Sequence, residues 1–342
     1  MKKVSFVVEK FYQQNVLFDK NQTKIFARDN SFEKYHIMHG VFQKNGYLIA
    51  TDDIHTIAES DIVIYKDLPK KLPDSKDVGK SYLIMNESPL VRPDNFDIEK
   101  HKYFHKIFTW NDELVDNKKY FKFNYSFVIP KEIPKTFNKP KLCCLIVGNK
   151  DSDHPNELYS ERKKLIRWFE ANHLEDFDLY GVGWNEYRFK GIKPFRALNR
   201  ISIVRKIMFK YFGEYYPSYK GKVVNKFETM QYYKFAICYE NIKDISGYIT
   251  EKILDAMFAG CVPIYLGAKN VSEHIPKNSF IDKRDFTTYE ELYSNIKNID
   301  EKEYMDYLHN IELFLQSEKG YKFSAESNAN ILLGVILKKK EF

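Results

Sequence analysis

The chain has 342 residues, and 54 Lys and Arg against 47 Asp and Glu give it a formal charge of +7. This length suffices for about two domains of ordinary size. Hydrophobic residues make up 44% of the sequence, and 14 Gly with 12 Pro exclude a collagen-like, Pro-rich or largely disordered chain. The positive charge favours anionic partners.

The apolar runs are too short for a membrane span. The longest, residues 331–337, is interrupted by Gly334, whereas a spanning helix needs about 18 residues. The N-terminal run 4–8 is stopped by Glu9 and Lys10, and no small-residue cleavage site follows. We therefore expect no signal peptide and a cytoplasmic protein.

The four cysteines are Cys143, Cys144, Cys238 and Cys261. Three lie inside apolar, strand-like runs, and Cys261 lies just before another. Their spacing does not match that of a metal site. We expect reduced thiols that fill the core of a cytoplasmic protein.

Short apolar runs alternate with helical patterns on both sides of residues 129–141. This alternation predicts parallel sheets with helices on both faces, an α/β fold. The predicted helices span 35–44 and 157–172, with a third starting near Thr250. The predicted strands are 4–8, 47–51, 61–66, 81–85, 106–110, 142–147, 177–182, 235–240 and 262–267.

Residues 129–141 resemble an interdomain linker, since they contain three Pro and four Lys without helical or alternating pattern. The predicted organisation is an N-terminal Rossmann-like domain at 1–128 and a second Rossmann-like domain at 142–320. A C-terminal helix and basic tail follow at 321–342. Two such sheets would enclose a cleft, and ligands bind beyond the carboxyl ends of parallel strands.

The most informative stretch, residues 233–267, reads as strand, polar loop, helix and strand. The helix starts near Thr250 and ends at Gly260, the usual residue after a helix C-cap. Glu251 and Lys252 therefore fall in its first turn, where free N–H groups and the helix dipole favour an anion.

A lysine in that first turn opposes the helix dipole, at a cost of a few tenths of a kcal/mol or more. The cost is understandable if Lys252 meets a phosphate, with Glu251 beside it accepting two ribose hydroxyls. The alternative is an ordinary exposed Glu-Lys pair at a helix start. Spacing alone does not separate the two.

This stretch resembles the donor-binding motif of the α-1,3-fucosyltransferases, glycosyltransferase family 10. Their pattern is roughly YKF-x3-FEN, then (D/G)Y-(V/I)-TEK, then G-x-VP-(I/V)-x-x-G. Every element is present except the Phe of FEN, where Tyr239 stands, and the likeness continues to Phe286. The resemblance implies a GT-B fold, in which two Rossmann-like domains with parallel sheets face a central cleft. It also implies that the acceptor binds to the domain at 1–128 and that the GDP-sugar donor binds to the domain at 142–320.

The resemblance also assigns residues to the donor. It implies that Glu251 holds the ribose, that Lys252 holds the diphosphate, and that Asn241 and Tyr248 line the nucleotide site. Arg162, near the start of a helix, matches an arginine that grips the pyrophosphate, and a guanidinium fork suits two phosphate oxygens. Alternatively it belongs to a solvated basic helix face with Lys163, Lys164 and Arg167.

A second motif, Met85-Asn86-Glu87-Ser88-Pro89, resembles the family's MN-x-ESP but lacks one residue. The glutamate of this motif is the proposed general base, which implies that role for Glu87. An acceptor hydroxyl must lose its proton as it attacks the anomeric carbon. The alternative is that Glu87 only caps the turn before Pro89.

Nothing in the sequence requires a metal. Asp151-Ser152-Asp153 is a DxD triplet, which holds a divalent ion in other glycosyltransferases. Here it stands beside His154-Pro155, and we interpret it as a turn. The sequence contains no HExxH, Walker loop, GxGxxG or GxSxG motif.

Residues 188–226 carry eleven Lys and Arg against one acid, Glu214, with eight Phe and Tyr interleaved. Three interpretations stay open: a solvated basic face near the donor site, peripheral contact with an anionic membrane, and nucleic-acid binding. The last is the weakest, because no nucleic-acid-binding motif is present.

Taken together, the sequence predicts an inverting transferase that moves L-fucose from GDP-β-L-fucose to a saccharide hydroxyl, with an α-1,3-type linkage and no cofactor. The expected acceptor is an oligosaccharide or a lipid-linked saccharide, in lipopolysaccharide or capsule synthesis at the inner membrane face. The alternatives are a transferase for another GDP-linked sugar and a basic nucleic-acid-binding protein. We expect no nucleic-acid partner.

Overall fold

The computed structural model describes residues 1–22, 32–189 and 191–337. The first part of the chain forms a six-stranded parallel sheet in the order β2-β1-β3-β4-β5-β6. Its strands are short apolar runs, and the central ones are buried on both faces. The elements are β1 (Lys2–Val7), α1 (Glu33–Lys44), β2 (Tyr47–Thr51), β3 (Ile62–Lys66), β4 (Ser81–Met85), β5 (Lys106–Thr109) and β6 (Tyr120–Lys122).

The second part forms a five-stranded parallel sheet in the order β11-β10-β9-β7-β8. Helices pack on it around the larger of the hydrophobic cores. Its strands are β7 (Lys141–Ile146), β8 (Phe177–Tyr180), β9 (Tyr233–Tyr239), β10 (Val262–Leu266) and β11 (Ile281–Asp282).

Ten further α-helices are described after the first sheet. They are α2 (Tyr159–Asn172), α3 (Lys193–Ala197), α4 (Ser202–Phe212), α5 (Lys226–Met230), α6 (Glu251–Phe258), α7 (Val271–His274), α8 (Tyr289–Asn298), α9 (Glu301–Gln316), α10 (Glu318–Tyr321) and α11 (Ala325–Ile336). Short 3-10 helices lie at Lys10–Tyr12, Val16–Phe18, Ser75–Lys80, Pro93–Phe96, Ile98–Tyr103, Leu174–Asp176, Leu198–Arg200, Lys277–Ser279 and Lys283–Asp285.

The predicted α/β class with two parallel sheets is confirmed, and every predicted strand is present. The sequence pattern missed β6 and β11, which are only three and two residues long. Helix α2 begins at Tyr159 rather than Glu157, because the Glu157 carboxylate accepts from the N–H groups of Tyr159 (2.5 Å) and Ser160 (3.0 Å). Glu157, one residue before the N-cap residue Leu158, therefore satisfies two free N–H groups of the first turn.

The segment predicted as a linker is extended, but its last residue, Lys141, already pairs with Tyr233 as the start of β7. The segment also packs against the end of α6. Lys139 is buried, and its Nζ donates to the carbonyl of Gly260 at 2.6 Å. A cation at a helix C-terminus is favourable, so this contact helps to hold α6 in place. The domain boundaries themselves stay a prediction.

Helix α11 returns to the first sheet. Its residues Ala329, Leu332 and Leu333 join the core that contains β1 and α1, and Asn328 Nδ2 donates to the carbonyl of Asn124 at 2.6 Å. The C-terminal helix is thus part of the first domain's packing. The predicted basic tail, residues 338–342, lies outside the described residues.

All four cysteines are buried and unbridged. Cys143 and Cys144 lie in β7, Cys238 lies in β9, and Cys261 comes just before β10. Burial raises the pKa of each thiol, to about 11 for Cys261. They therefore remain neutral and act as small apolar side chains, as the sequence predicts.

Candidate active site

The candidate site lies where the carboxyl ends of the two sheets approach each other. Asn86 and Glu87 follow β4 on one side; Glu240 and the N-terminus of α6 follow β9 on the other. Burial raises the pKa of Tyr159. The cations of Arg162 and Lys252 lower this pKa and the carboxylate of Glu87 raises it, so all three charged groups act on the same tyrosine. The structure therefore brings Glu87 from the first part of the chain close to Arg162 and Lys252 from the second part.

A buried carboxylate organises the side of the site formed by the second sheet. Glu240 is fully buried and follows β9 directly. It accepts hydrogen bonds from Thr250 N at 2.8 Å and Thr250 Oγ1 at 2.6 Å, and its Oε2 lies 3.1 Å from Lys252 Nζ. One carboxylate thus ties the end of β9 to the start of α6. Glu240 is the glutamate of the Tyr-Glu-Asn triplet, but its spacing in the sequence does not predict this role.

The Lys252 side chain is only 15% exposed, so the alternative of an ordinary exposed pair is wrong for this lysine. Its Nζ also lies 3.0 Å from Thr250 Oγ1 and 3.4 Å from Glu251 Oε1. Burial opposes the charge, but the carboxylates of Glu240 and Glu251 raise the pKa of Lys252. The ammonium group is therefore held charged at the start of α6.

Glu251 is the more exposed member of the pair, with a side chain 39% exposed. Burial would raise its pKa, but the ammonium groups of Lys252 and Lys226 outweigh burial and lower the pKa to about 2. Glu251 is consequently an anionic acceptor of hydrogen bonds over the whole physiological pH range. This is the state that the predicted contact with ribose hydroxyls requires.

Arg162 does not lie on a solvated helix face, because it is 3% exposed. Its Nη2 donates to the carbonyl of Tyr239 at 2.6 Å and to Asn241 Oδ1 at 3.1 Å. Within the described chain its Nε is buried and has no hydrogen-bond partner. A buried guanidinium with a free N–H is an incomplete arrangement, which an additional acceptor would complete. Its rivals Lys163, Lys164 and Arg167 all have more exposed side chains.

Asn241 and Tyr248 lie beside this cluster in different ways. Asn241 orients Arg162 through its Oδ1, and its carbonyl accepts from Leu158 N at 3.0 Å. Tyr248 is 1% exposed, and its ring packs against Trp110 of the first half with ring centroids 4.7 Å apart. Tyr248 therefore belongs to the contact between the two halves.

Polar contacts reinforce that boundary. Asp112 of the first half accepts from His274 Nε2 at 2.8 Å and from Asn270 Nδ2 at 2.9 Å. Gly247 has φ = +78°, and a Cβ there would lie 2.2 Å from the carbonyl oxygen of Trp110. Only glycine fits this conformation and this approach. The two halves are thus held in contact beside Tyr248.

On the side of the first sheet, a second buried carboxylate shapes the turn that carries Glu87. Asp67 is buried, and its Oδ1 accepts from Asn86 N (2.8 Å), Glu87 N (3.0 Å) and Asn95 Nδ2 (2.7 Å). The Glu87 carboxylate itself accepts no hydrogen bond from the residues that the structure describes. The alternative that Glu87 caps its turn is therefore wrong, and its carboxylate is available for chemistry.

The environment of Glu87 favours its neutral form more than water does. Burial raises its pKa, as do the carboxylates of Asp67 and Glu251, whereas Lys66 and Lys150 lower it. A carboxylate with a raised pKa is a stronger base than an ordinary glutamate. The site therefore contains a carboxylate with a raised pKa on one side and a buried cationic cluster on the other.

The described residues include no group of three or more His, Cys, Asp or Glu side chains arranged to hold a metal. Asp151 of the DxD triplet lies 3.6 Å from Lys163 Nζ. No described helix is both long and apolar enough to cross a bilayer.

The basic stretch forms α3 and α4, and α4 exposes an apolar stripe. The exposed fractions of Ile203, Ile207 and Tyr211 are 65%, 54% and 69%. These residues are four apart and share one helix face, with the exposed Lys206 and Lys210 beside them.

The buried Glu240 can be tested by its contribution to stability. We expect Glu240→Gln to lower the free energy of unfolding by about 3 kcal/mol, because it leaves the Lys252 ammonium without its buried counter-charge. Urea unfolding measures the change. Glu113→Gln is the matched control: Glu113 pairs with Lys269 at 2.6 Å, both side chains are about half exposed, and we expect a loss below about 1 kcal/mol. Equal losses would contradict the role given to Glu240.

The sequence of this chain is similar to those of several curated fucosyltransferases. The curated relatives include an "Alpha-(1,3)-fucosyltransferase FucT" of Helicobacter pylori, 36% identical over 112 residues, which are 32% of this chain and 23% of that protein. A "4-galactosyl-N-acetylglucosaminide 3-alpha-L-fucosyltransferase 9" of Rattus norvegicus is 32% identical over 194 residues, 54% of this chain and 41% of that one. The chain thus matches less than half the length of these relatives.

Structural comparison identifies the fold. A crystal structure described as "alpha1,3-Fucosyltransferase with GDP-fucose" superposes with a TM-score of 0.55 and 18% identity, covering 100% of this chain and 91% of the other. This likeness confirms the predicted GT-B arrangement of the two domains. The family model described as "Glycosyltransferase family 10 (fucosyltransferase) C-term" matches residues 136–323, more than half of the chain. The chain therefore belongs to glycosyltransferase family 10, the fucosyltransferases.

Proposed function

We propose that this protein is an inverting fucosyltransferase that moves L-fucose from GDP-β-L-fucose to a saccharide hydroxyl, with an α-1,3-type linkage. One observation carries the proposal. The Glu87 carboxylate accepts no hydrogen bond from the described residues, and it lies close enough to Glu251, at the start of α6, for the charge of Glu251 to raise its pKa. A base therefore lies beside an anion-binding helix N-terminus. The fucosyltransferase names of the relatives support the same activity.

The donor would bind at the second sheet. Lys252 and Arg162 would contact the diphosphate, together with free N–H groups in the first turn of α6. The unpartnered Arg162 Nε supports this placement, because a phosphate oxygen would satisfy it. Glu251 would accept two ribose hydroxyls. Asn241 would position Arg162, and Tyr248 would close the site where the second domain contacts Trp110 of the first.

The chemical step follows from this placement. The acceptor oxygen attacks C1 of fucose from the face opposite GDP, and the acceptor proton passes to Glu87. As the new C1–O bond forms, the bond from C1 to the phosphate oxygen breaks, and its electron pair leaves on GDP. A β-linked donor thus gives an α-linked product. Lys252 and Arg162 stabilise the charge that grows on the diphosphate, so the proposed step uses no metal.

A different GDP-linked sugar remains the alternative donor. The residues assigned to the donor would contact its nucleotide and phosphates, and none of them reads the C5 methyl group of fucose. The proposed preference for fucose comes from the relatives' names. Nucleic-acid binding has only the charge of residues 188–226 in its favour, and we do not propose it.

We also propose that the protein works in the cytoplasm, at the inner face of an anionic membrane, on an oligosaccharide or lipid-linked saccharide of lipopolysaccharide or capsule. The support is the exposed stripe on α4, formed by Ile203, Ile207 and Tyr211 beside two lysines. Apolar side chains with cationic side chains next to them suit the boundary between acyl chains and anionic headgroups.

Two substitutions should distinguish the role of Glu87 as the base from the role of Lys252 in binding the donor. We expect Glu87→Gln to lower kcat by about 100-fold or more, because an amide cannot take the acceptor proton, while GDP affinity stays within a few-fold of wild type. Lys252→Ala should weaken GDP binding and lower kcat/KM by about 30- to 1,000-fold, which corresponds to a loss of about 2–4 kcal/mol of transition-state stabilisation. GDP release and calorimetric GDP titration are the measurements.

The controls are Glu113→Gln and Lys243→Ala, the same changes at more exposed positions. Each should leave turnover and GDP binding close to wild type. Wild-type turnover by Lys252→Ala would contradict the donor assignment. Loss of GDP binding by Glu87→Gln would show that Glu87 has a structural role.

The pH profile tests the state of Glu87. Its pKa is raised, so the base is fully available only above that raised value, and kcat/KM should fall as pH drops through it. The acid limb should lie above the usual glutamate pKa of about 4.3. Lys66 lowers the pKa of Glu87, so Lys66→Met should move the limb to higher pH. A limb that stays in place or moves down would contradict this electrostatic account.

Vesicle sedimentation tests the membrane contact. We expect binding to phosphatidylglycerol vesicles that weakens with salt, and little binding to phosphatidylcholine vesicles. Ile203→Ser with Ile207→Ser should lower the affinity about tenfold, since both residues would leave the acyl boundary. Ile54→Ser with Ile98→Ser, at exposed isoleucines elsewhere, is the control. Equal binding by both double variants would refute the α4 surface.

A further inference from the structure

The first domain contains a cavity at the carboxyl end of its sheet. It has a volume of about 50 Å³. Asn86, which precedes Glu87, is one of its lining residues, so the cavity opens beside the turn that carries the proposed base. Helix α11, whose function the sequence does not reveal, supplies part of the wall. No residue assigned to the donor lines it.

Two lysines line this cavity, and neither forms a salt bridge with a carboxylate of the described residues. Lys34 comes from α1 and Lys66 from the end of β3. The Nζ of Lys34 lies 5.4 Å from the ring centroid of Tyr35, and that of Lys66 lies 5.0 Å from the ring centroid of Tyr12. Within the described ranges, no carboxylate lies within 4 Å of either ammonium group. The carboxylates of Asp67 and Glu9 act on Lys66 only from a greater distance, so an anion bound in the cavity would be the first to contact either ammonium group directly.

A third lining residue, Asn328, has one side-chain atom without a hydrogen-bond partner in the described chain. Asn328 of α11 is 4% exposed, and its Nδ2 donates to the carbonyl of Asn124 at 2.6 Å, which fixes the orientation of the amide. Its Oδ1 is buried and accepts no hydrogen bond in the described chain. Buried polar atoms are normally satisfied, so this oxygen marks a place for a donor such as a hydroxyl.

The size and walls of the cavity narrow down the ligand. A volume of 50 Å³ holds a few groups of water size, since one such group needs about 10–15 Å³. That is enough for one substituent of a sugar but too little for a whole ring. Tyr35, Trp110 and Tyr125 add aromatic wall, against which the apolar face of a sugar can pack.

We propose that this cavity is an acceptor subsite for an acidic saccharide: a carboxylate or phosphate group lies between Lys34 and Lys66, and a neighbouring hydroxyl donates to Asn328 Oδ1. The inference rests on the proposed function and deepens it, because it names the chemical class of the acceptor. Since Asn86 joins the cavity to Glu87, the anionic group would hold the acceptor with another hydroxyl beside the base.

The test compares three disaccharides that differ at one carbon. They are a galactosyl-N-acetylglucosaminide, its counterpart with the galactose C6 oxidised to a carboxylate, and its galactose 6-phosphate. Steady-state kinetics are measured with GDP-fucose for the wild type, for Lys34→Met with Lys66→Met, and for Lys102→Met, an exposed lysine outside the cavity. The two acidic disaccharides distinguish a carboxylate from a phosphate ligand.

We expect kcat/KM to be about tenfold or more higher for at least one acidic disaccharide than for the neutral one, the usual size of a charge-assisted contact. The double variant should lose at least about tenfold more activity on the acidic than on the neutral acceptor. Lys102→Met should keep the wild-type preference. Comparing acceptors in the same variant cancels the effect of Lys66 on Glu87. Equal kcat/KM for all three would overturn the proposal.

A second readout does not depend on turnover. Acetylation of lysines in the GDP-bound protein, followed by mass spectrometry, should be slowed at Lys34 and Lys66 by an acidic disaccharide and not by the neutral one. Lys102 should react at the same rate throughout. Absence of protection would overturn the subsite even if fucose transfer occurs. Protection without any GDP-fucose turnover would keep the subsite and refute the proposed function.

Discussion

The contacts of the buried Glu240 carboxylate with Thr250 and Lys252 are the interaction on which the proposed donor site depends. It receives three contacts from the first turn of α6, two from Thr250 and one from Lys252. An uncompensated buried charge is costly, so the chain can bury Glu240 only if α6 starts at this point with Lys252 charged. The same arrangement holds an ammonium group at a helix N-terminus, where the dipole alone would disfavour it. Local stability and the capacity to bind an anion therefore have one cause.

The acceptor side repeats this design with a different carboxylate. Asp67 is buried after β3, and it fixes the turn of Asn86 and Glu87 by accepting from both backbone N–H groups. Because the backbone is held in this way, the Glu87 side chain need not hold its own turn. The contact of Trp110 with Tyr248, at a place where only Gly247 fits, then sets the two sides against each other. Two rigid supports thus place one free carboxylate beside one cationic cluster.

Much of this could be predicted from the sequence, and the reasons are local. The apolar runs and the glycine after α6 gave both sheets and the position of Lys252, because periodicity and capping depend on neighbouring residues. Glu240 and Asp67 were missed as supports because a buried, hydrogen-bonded carboxylate has no local signature. The return of α11 to the first sheet, which completes the cavity around Lys34 and Lys66, depends on packing across the whole chain.

One departure from the family pattern leaves a mark in the structure. Tyr239 stands where the pattern has Phe, and in the described chain its hydroxyl is buried without a hydrogen-bond partner. The ring fills the core beside β9 as Phe would, and the extra oxygen is an unfavourable burial. The structure shows no contact that explains it.

The central claim is that the donor diphosphate binds at the start of α6, next to Glu87. A crystal structure of the complex with GDP tests it most directly. The account predicts phosphate oxygens within hydrogen-bond distance of Lys252 Nζ and of the Arg162 guanidinium, with ribose hydroxyls on Glu251. GDP bound elsewhere, for example at the basic residues of α3 and α4, with Lys252 still paired only to Glu240, Thr250 and Glu251, would contradict it.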